Sequence, residues 1–101
     1  MEELVDQGLV KSIGISNFNV QAIWDLLTYC RIKPVVNEIE LHPYNVQDKL
    51  VKFMKMHDIH PIAYCPVARG IETSNKIVSH PNIFETPIIS SLIQKYNKSG
   101  A

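Results

Sequence analysis

The chain has 101 residues, with ten Lys and Arg balancing ten Asp and Glu, 46% apolar and 20% charged, which describes one neutral globular domain and excludes two. Zero formal net charge and scattered lysines leave no basic field for phosphates, so nucleic acid and anionic membrane surfaces are poor partners. Apolar runs fall far short of the ~20 residues of a spanning helix, and Met1-Glu2-Glu3 carries acid where a secretory signal carries Lys or Arg, so the chain reads as cytoplasmic.

Short β-branched runs alternate with helical stretches, the pattern of βα units around a parallel sheet. Met1 to Asp6 (MEELVD) has the character of the last turns of a helix, closed by Gly8 in the left-handed conformation. Lys11 to Ser16 (KSIGIS) is the first predicted strand. Asn19 is placed to cap the next helix, whose Val20, Ile23, Trp24 and Leu27 form one apolar stripe. Lys33-Pro34 ends that helix. Val35 to Leu41 (VVNEIEL) is a second strand, interrupted by polar Asn37 and Glu38 in an otherwise buried run. After the His42-Pro43-Tyr44 turn, Asn45 is expected to cap a third helix with Asp48 in its first turn and Leu50, Phe53 and Met54 on its buried face.

Ile59 to Tyr64 is the third strand, with Pro61 at its edge and Pro66 past its end. Periodicity lapses from Val67 to Glu85, a long loop with room for one short helical turn. Thr86-Pro87 then opens a last helix with Ile89, Leu92, Ile93 and Tyr96 on one face, ending at Asn97-Lys98-Ser99-Gly100. Cys30 and Cys65 have no ligand-like spacing and read as reduced, buried thiols.

Ligands of parallel α/β folds bind beyond the carboxyl ends of the strands. The residues there are Ser16-Asn17, Glu38-Glu40-His42 and Tyr64-Cys65. Spacing alone suits Ser16 and Asn17 equally to a turn and to a binding site. Glu38 and Glu40 share one strand face by period two; acid-base work is one use, and pairing with Lys or Arg of neighbouring units is the commoner one. The four histidines have no metal-ligand spacing, no serine sits in a nucleophile elbow, and the four glycines form no phosphate loop.

Four stretches then match a known pattern in order and at the right spacing. Residues 9–18 (LVKSIGISNF) resemble the fifth-strand signature of the aldo-keto reductase family, 36–44 (VNEIELHPY) the sixth-strand motif, 63–67 (AYCPV) the seventh, and His80-Pro-Asn-Ile through Lys95-Tyr-Asn-Lys98 the helix that follows. The resemblance implies a (β/α)8 TIM barrel that reduces aldehydes and ketones with hydride from NADPH, an oxidoreductase that is usually a cytoplasmic monomer without metal. Carried over by position, Ser16 and Asn17 match the pair that hydrogen-bonds the nicotinamide carboxamide, and Tyr64 matches the ring on which the nicotinamide stacks. Cys65 and Val67 match the start of the loop over the pyrophosphate, commonly Ser and Leu, so a thiol replaces a hydroxyl donor. Glu38 stands where the family typically has Gln, whose amide contacts the same carboxamide; a carboxylate accepts from the carboxamide but cannot donate to it.

The family's Tyr general acid and its Lys, Asp and His companions belong to the first half of the barrel, and none of Tyr29, Tyr44, Tyr64 and Tyr96 matches the acid's context. A full barrel takes roughly 250 residues. Residues 1–101 are therefore expected to be a single barrel segment, incomplete at both ends, that supplies nicotinamide-binding residues and does not turn over a carbonyl substrate alone. Its open edges and the inner faces of Ile13, Val36 and Ala63 are expected to lack cover. The alternative is a shortened, non-catalytic paralogue that acts as an interaction module through those open strand edges.

Overall fold

Asn19 shows how local chemistry sets the first long helix: its backbone is extended and its Oδ1 accepts from the Ala22 N–H at 2.8 Å, so α2, Val20–Tyr29, starts where the sequence placed it. The computed structural model describes residues 1–68 and 82–100. In chain order the elements are α1 (Glu2–Asp6), β1 (Gly14–Ser16), α2, β2 (Val36–Glu40), α3 (Asp48–Met56), β3 (His60–Tyr64), a 3-10 turn (Ile83–Glu85) and α4 (Pro87–Tyr96). Gly8, at φ +70°, closes α1 as expected. Most of the predicted loop from Val67 to Glu85 lies outside the described residues, and the 3-10 turn occupies its end.

The three strands are parallel in the order β1-β2-β3. Cα partners run Ser16 to Glu38 to Ile62 on one face, Ile15 to Asn37 to Pro61 on the other, with Glu40 beside Tyr64 and Ile39 beside Ala63. Helices α2 and α3 cover the face of Ile15 and Ile39. There Ile23, Ile39, Met54 and Ile59 form the core, each at most 2% exposed, with Phe18, Leu27 and Leu50 packed against it. Thus β2 is central among the described strands, and its odd-numbered side chains are the buried ones.

The opposite face carries Gly14, Val36, Glu38, Ile62 and Tyr64; among the described residues no helix lies on it, and Ile62 is 44% exposed. Here the register corrects one expectation. Val36 lies on the uncovered face and is half-buried; Ala63 is exposed as expected, but on the face of Ile39, and Ile13, half-buried, lines a cavity with Ile15 and Leu26 on the α2 side. The two-residue alternation of a strand puts odd and even positions on opposite sides, so these three could not share a face.

Two other expectations shift. The α2 stripe is buried at Ile23 and half-buried at Leu27, whereas Val20 is exposed and Trp24, 58% exposed, meets α3 instead, its ring 6.2 Å from Phe53 and edge-on to His57 at 5.7 Å. Asn45 does not cap α3. Its Nδ2 donates to the Glu40 carbonyl at 3.1 Å and its N–H to the His42 carbonyl at 2.8 Å, closing the turn after β2; the N-cap is Gln47, in a left-handed conformation. The turn after β2 places Asn45 two positions ahead of the Gln47 N-cap, with its amide turned back toward the Glu40 carbonyl. Among the described residues no helix is long and apolar enough to cross a membrane.

Candidate functional site

The carboxyl ends of β1, β2 and β3 lie side by side because parallel strands in register end together. Their terminal residues are joined by hydrogen bonds. Ser16 Oγ donates to the Glu38 carbonyl at 3.1 Å, and the Asn17 N–H donates to that same oxygen at 2.9 Å. Asn17 Nδ2 donates to Ser16 Oγ at 3.3 Å. The Tyr64 hydroxyl reaches from β3 to donate to Asn17 Oδ1 at 2.9 Å. Ser16, Asn17 and Tyr64, singled out from the sequence as separate strand ends, are therefore one connected group.

Asn17 leaves β1 at φ +59°, in the left-handed region that Asn tolerates better than most residues. That turn is what carries its side chain back toward Ser16 and Tyr64. An open cleft of about 260 Å³, bordered by Asn17, Glu40, Asn45, Gln47 and Tyr64 among others, lies beside the group. Glu38 takes part through its backbone, whose carbonyl anchors both Ser16 and Asn17; its side chain is exposed on the uncovered face of the sheet. Glu40 is held by a histidine rather than by Lys or Arg, with His42 Nε2 3.3 Å from its Oε1. Cys65 and Val67 follow Tyr64 in a turn closed by the Ala68 N–H on the Cys65 carbonyl at 2.8 Å, with Cys65 at φ +50°. No hydrogen bond among the described residues links these two to the Ser16 group.

Sequence reasoning missed the part of Asn37. It is fully buried, on the core face of β2, and its amide grips the Phe18 backbone twice: Oδ1 accepts from the Phe18 N–H at 3.3 Å and Nδ2 donates to the Phe18 carbonyl at 2.9 Å. A polar side chain at the centre of an apolar strand was the available signal; its partner, 19 positions away, was not.

In chemical terms the group offers a Tyr ring fixed at its hydroxyl, an amide, a hydroxyl and a nearby carboxylate on the bare face of a parallel sheet. Such a sheet, flanked by helices on its other side and carrying its polar residues at the strand carboxyl ends, is the architecture of one arc of a closed α/β barrel. The aldo/keto reductase family profile matches residues 1–87, and the chain belongs to that family. It is 48% identical over 101 residues to aldose reductase C of Dictyostelium discoideum, covering 100% of this chain and 29% of that protein. Against an NADH-dependent D-xylose reductase of Candida parapsilosis the identity is 44% over 104 residues, covering 100% of this chain and 32% of the relative. The structure superposes on a Bombyx mori aldo-keto reductase in complex with NADP with a TM-score of 0.89 at 34% identity, over 99% of this chain and 32% of that one. The chain thus spans about a third of the length of these proteins, and its three parallel strands form part of a (β/α)8 barrel.

Proposed function

We propose that residues 1–101 are one segment of a reductase barrel domain and supply the nicotinamide side of its NADPH site, in an enzyme that reduces a small aldehyde or ketone. The observation that carries the reading is the Ser16–Asn17–Tyr64 hydrogen-bonded group on the uncovered face of the sheet. Its chemistry fits a carboxamide on a flat ring. One Asn17 Nδ2 hydrogen is engaged by Ser16, which leaves the second for the carboxamide oxygen, and a carboxylate at Glu38 accepts from the carboxamide nitrogen. Tyr64, tied down at its hydroxyl, offers a ring face for stacking with little rotamer entropy left to lose. The bound cofactor supplies the hydride; these residues orient the ring that carries it. Cys65 and Val67 lie toward the pyrophosphate, where a thiol in place of a hydroxyl at 65 leaves the contact to backbone N–H groups.

The reading draws support from a solved relative in complex with NADP and another described as NADH-dependent; the nicotinamide end is common to both dinucleotides. The test is a titration of the chain with NADPH and with NADH, followed by the backbone and side-chain amide signals of Ser16, Asn17, Tyr64 and Cys65. Saturable shifts confined to this set are expected. Shifts spread evenly over the surface, or none up to the highest cofactor concentration, would overturn the assignment. The uncovered sheet face supports a second reading, a non-catalytic module that pairs through its strand edges; a stable discrete oligomer on a sizing column, with no cofactor response, would favour it.

A further inference from the structure

Asn37 presents an energetic question that the proposed site does not answer. Its side chain is fully buried between the core residues of β2 and α3, with Nδ2 3.7 Å from Met54 Sδ. A buried amide costs stability unless it is hydrogen-bonded, and here the bonds run both ways, since an apolar residue at 37 would leave the Phe18 N–H and carbonyl without these partners. Both of its strong bonds go to the backbone of Phe18, one to the N–H and one to the carbonyl. This side chain therefore fixes a single residue at both of its backbone polar groups.

The location of that residue decides the matter. Phe18 lies between Asn17, which is in the left-handed conformation and carries the Tyr64 hydroxyl and Ser16 contacts, and Asn19, which caps α2. Held at both its N–H and its carbonyl, Phe18 cannot rotate its peptide planes, so the chain leaves β1 in one conformation and Asn17 is pinned from its carboxyl side. From its amino side the Asn17 N–H is held by the Glu38 carbonyl. Both flanking restraints come from β2, from adjacent residues whose side chains point to opposite faces of the sheet.

We propose that Asn37 is a positioning residue for the nicotinamide-binding group: acting through the Phe18 backbone, it holds Asn17 in the left-handed turn that aims its amide at the cofactor's carboxamide. The inference rests on the cofactor reading above, but its first consequence is visible without cofactor. Phe18, though half-buried itself, is ordered for the sake of the residue before it, and the cost of burying Asn37 is offset by a preorganised site.

The experiment compares the chain with its Asn37→Asp and Ile39→Val variants. Asn37→Asp keeps an acceptor for the Phe18 N–H and removes the donor to its carbonyl; Ile39→Val trims the same core face and touches no hydrogen bond. Side-chain amide signals of Asn17, ring signals of Tyr64 and urea midpoints are recorded for each without cofactor, and NADPH affinity is taken from the same spectra. In Asn37→Asp the Asn17 amide and Tyr64 ring signals are expected to collapse toward solvent-averaged values and NADPH affinity to fall about tenfold or more, the effect of one lost buried bond. Ile39→Val is expected to lower the midpoint and leave those signals and the affinity within about twofold of the parent. If Asn37→Asp lowers the urea midpoint but leaves the Asn17 and Tyr64 signals as in the parent, Asn37 is a stability residue only and the proposal is overturned. If Asn37→Asp proves unfolded, Asn37→Ser, which keeps a short donor and acceptor, takes its place under the same two criteria. Absence of NADPH binding by the parent chain would overturn the cofactor reading instead, and the apo spectra would still decide whether Asn37 sets the Asn17 turn.

Discussion

Glu38 concentrates the chemistry of the candidate site into one atom exchange. Its backbone carbonyl anchors Ser16 and Asn17 whatever its side chain is, so a change of side chain leaves that scaffold in place. The side chain, by contrast, presents two acceptors and no donor on the sheet face assigned to the nicotinamide, and it adds negative charge near a phosphate-bearing ligand. Glu38→Gln restores a donor and removes the charge. It is expected to tighten NADPH binding about three- to tenfold, in line with one neutral hydrogen bond gained, as measured by isothermal or spectroscopic titration. Unchanged affinity would mean that the side chain points away from the cofactor. At this scale the residues of interest were legible in the sequence because each ended a buried apolar run with a polar group. The bond from the Tyr64 hydroxyl to Asn17 Oδ1 was not legible, because it joins positions 47 apart on strands that are not adjacent.

Among the elements, α1 is the shortest helix and its tie to the rest is electrostatic. The Glu2 carboxylate accepts from the N–H groups of Arg31 and Ile32, both at 2.7 Å, and Arg31 Nη2 meets Asp6 Oδ2 at 2.6 Å. The Ile32 N–H foremost, with help from the Arg31 N–H and the Arg31 charge, holds the Glu2 carboxyl below its ordinary value near 4.5, against partial desolvation and the nearby Asp6 charge. Because the folded-state value is the lower one, the contribution of Glu2 to stability is fully present above its ordinary value and is lost as pH falls through the depressed one. Urea midpoints of the parent are therefore expected to fall more steeply with acid through that window than those of Glu2→Gln, with the two curves running parallel above it. Crossing curves at neutral pH would contradict this sign. Another element-scale test concerns the start of α2: Asn19→Ala removes the Ala22 contact and is expected to cost about 1 kcal/mol in a denaturant titration. Both Asn19 and Gly8 were assignable from sequence because caps are local. Asn45 was misassigned for a related reason. A side chain with two local uses was given to the helix, and the turn after β2 claimed it.

Across the molecule, the described residues cover one face of the sheet with helices and leave the other without one. Ile23, Ile39, Met54 and Ile59 close the covered side, so Ile23→Ala is expected to cost about 2–5 kcal/mol by leaving a cavity beneath α2. The uncovered side presents Ile62, and half-buried Val36 beside it, along with the polar group, at ~25 cal/mol for each Å² of apolar surface left wet. In a barrel those even-numbered positions face the interior. Purified material of these 101 residues is expected to give no measurable oxidation of NADPH with an aldehyde, because no tyrosine in it matches the family's acid; turnover above the blank would disprove that assignment of roles.

From sequence alone, three things were determined: the alternation of strand and helix, the Asn19 cap and the Gly8 stop, and the family to which the motifs belong, since all three are written in local patterns of residue type. Tertiary structure alone decided which residues share a sheet face, that Tyr64 and Asn17 meet, and that Asn37 grips Phe18. The division has a physical cause. Local patterns are set by steric and hydrogen-bonding preferences within a turn or two of chain, whereas register and cross-strand contacts arise only when parallel strands, separated by whole helices, come into alignment.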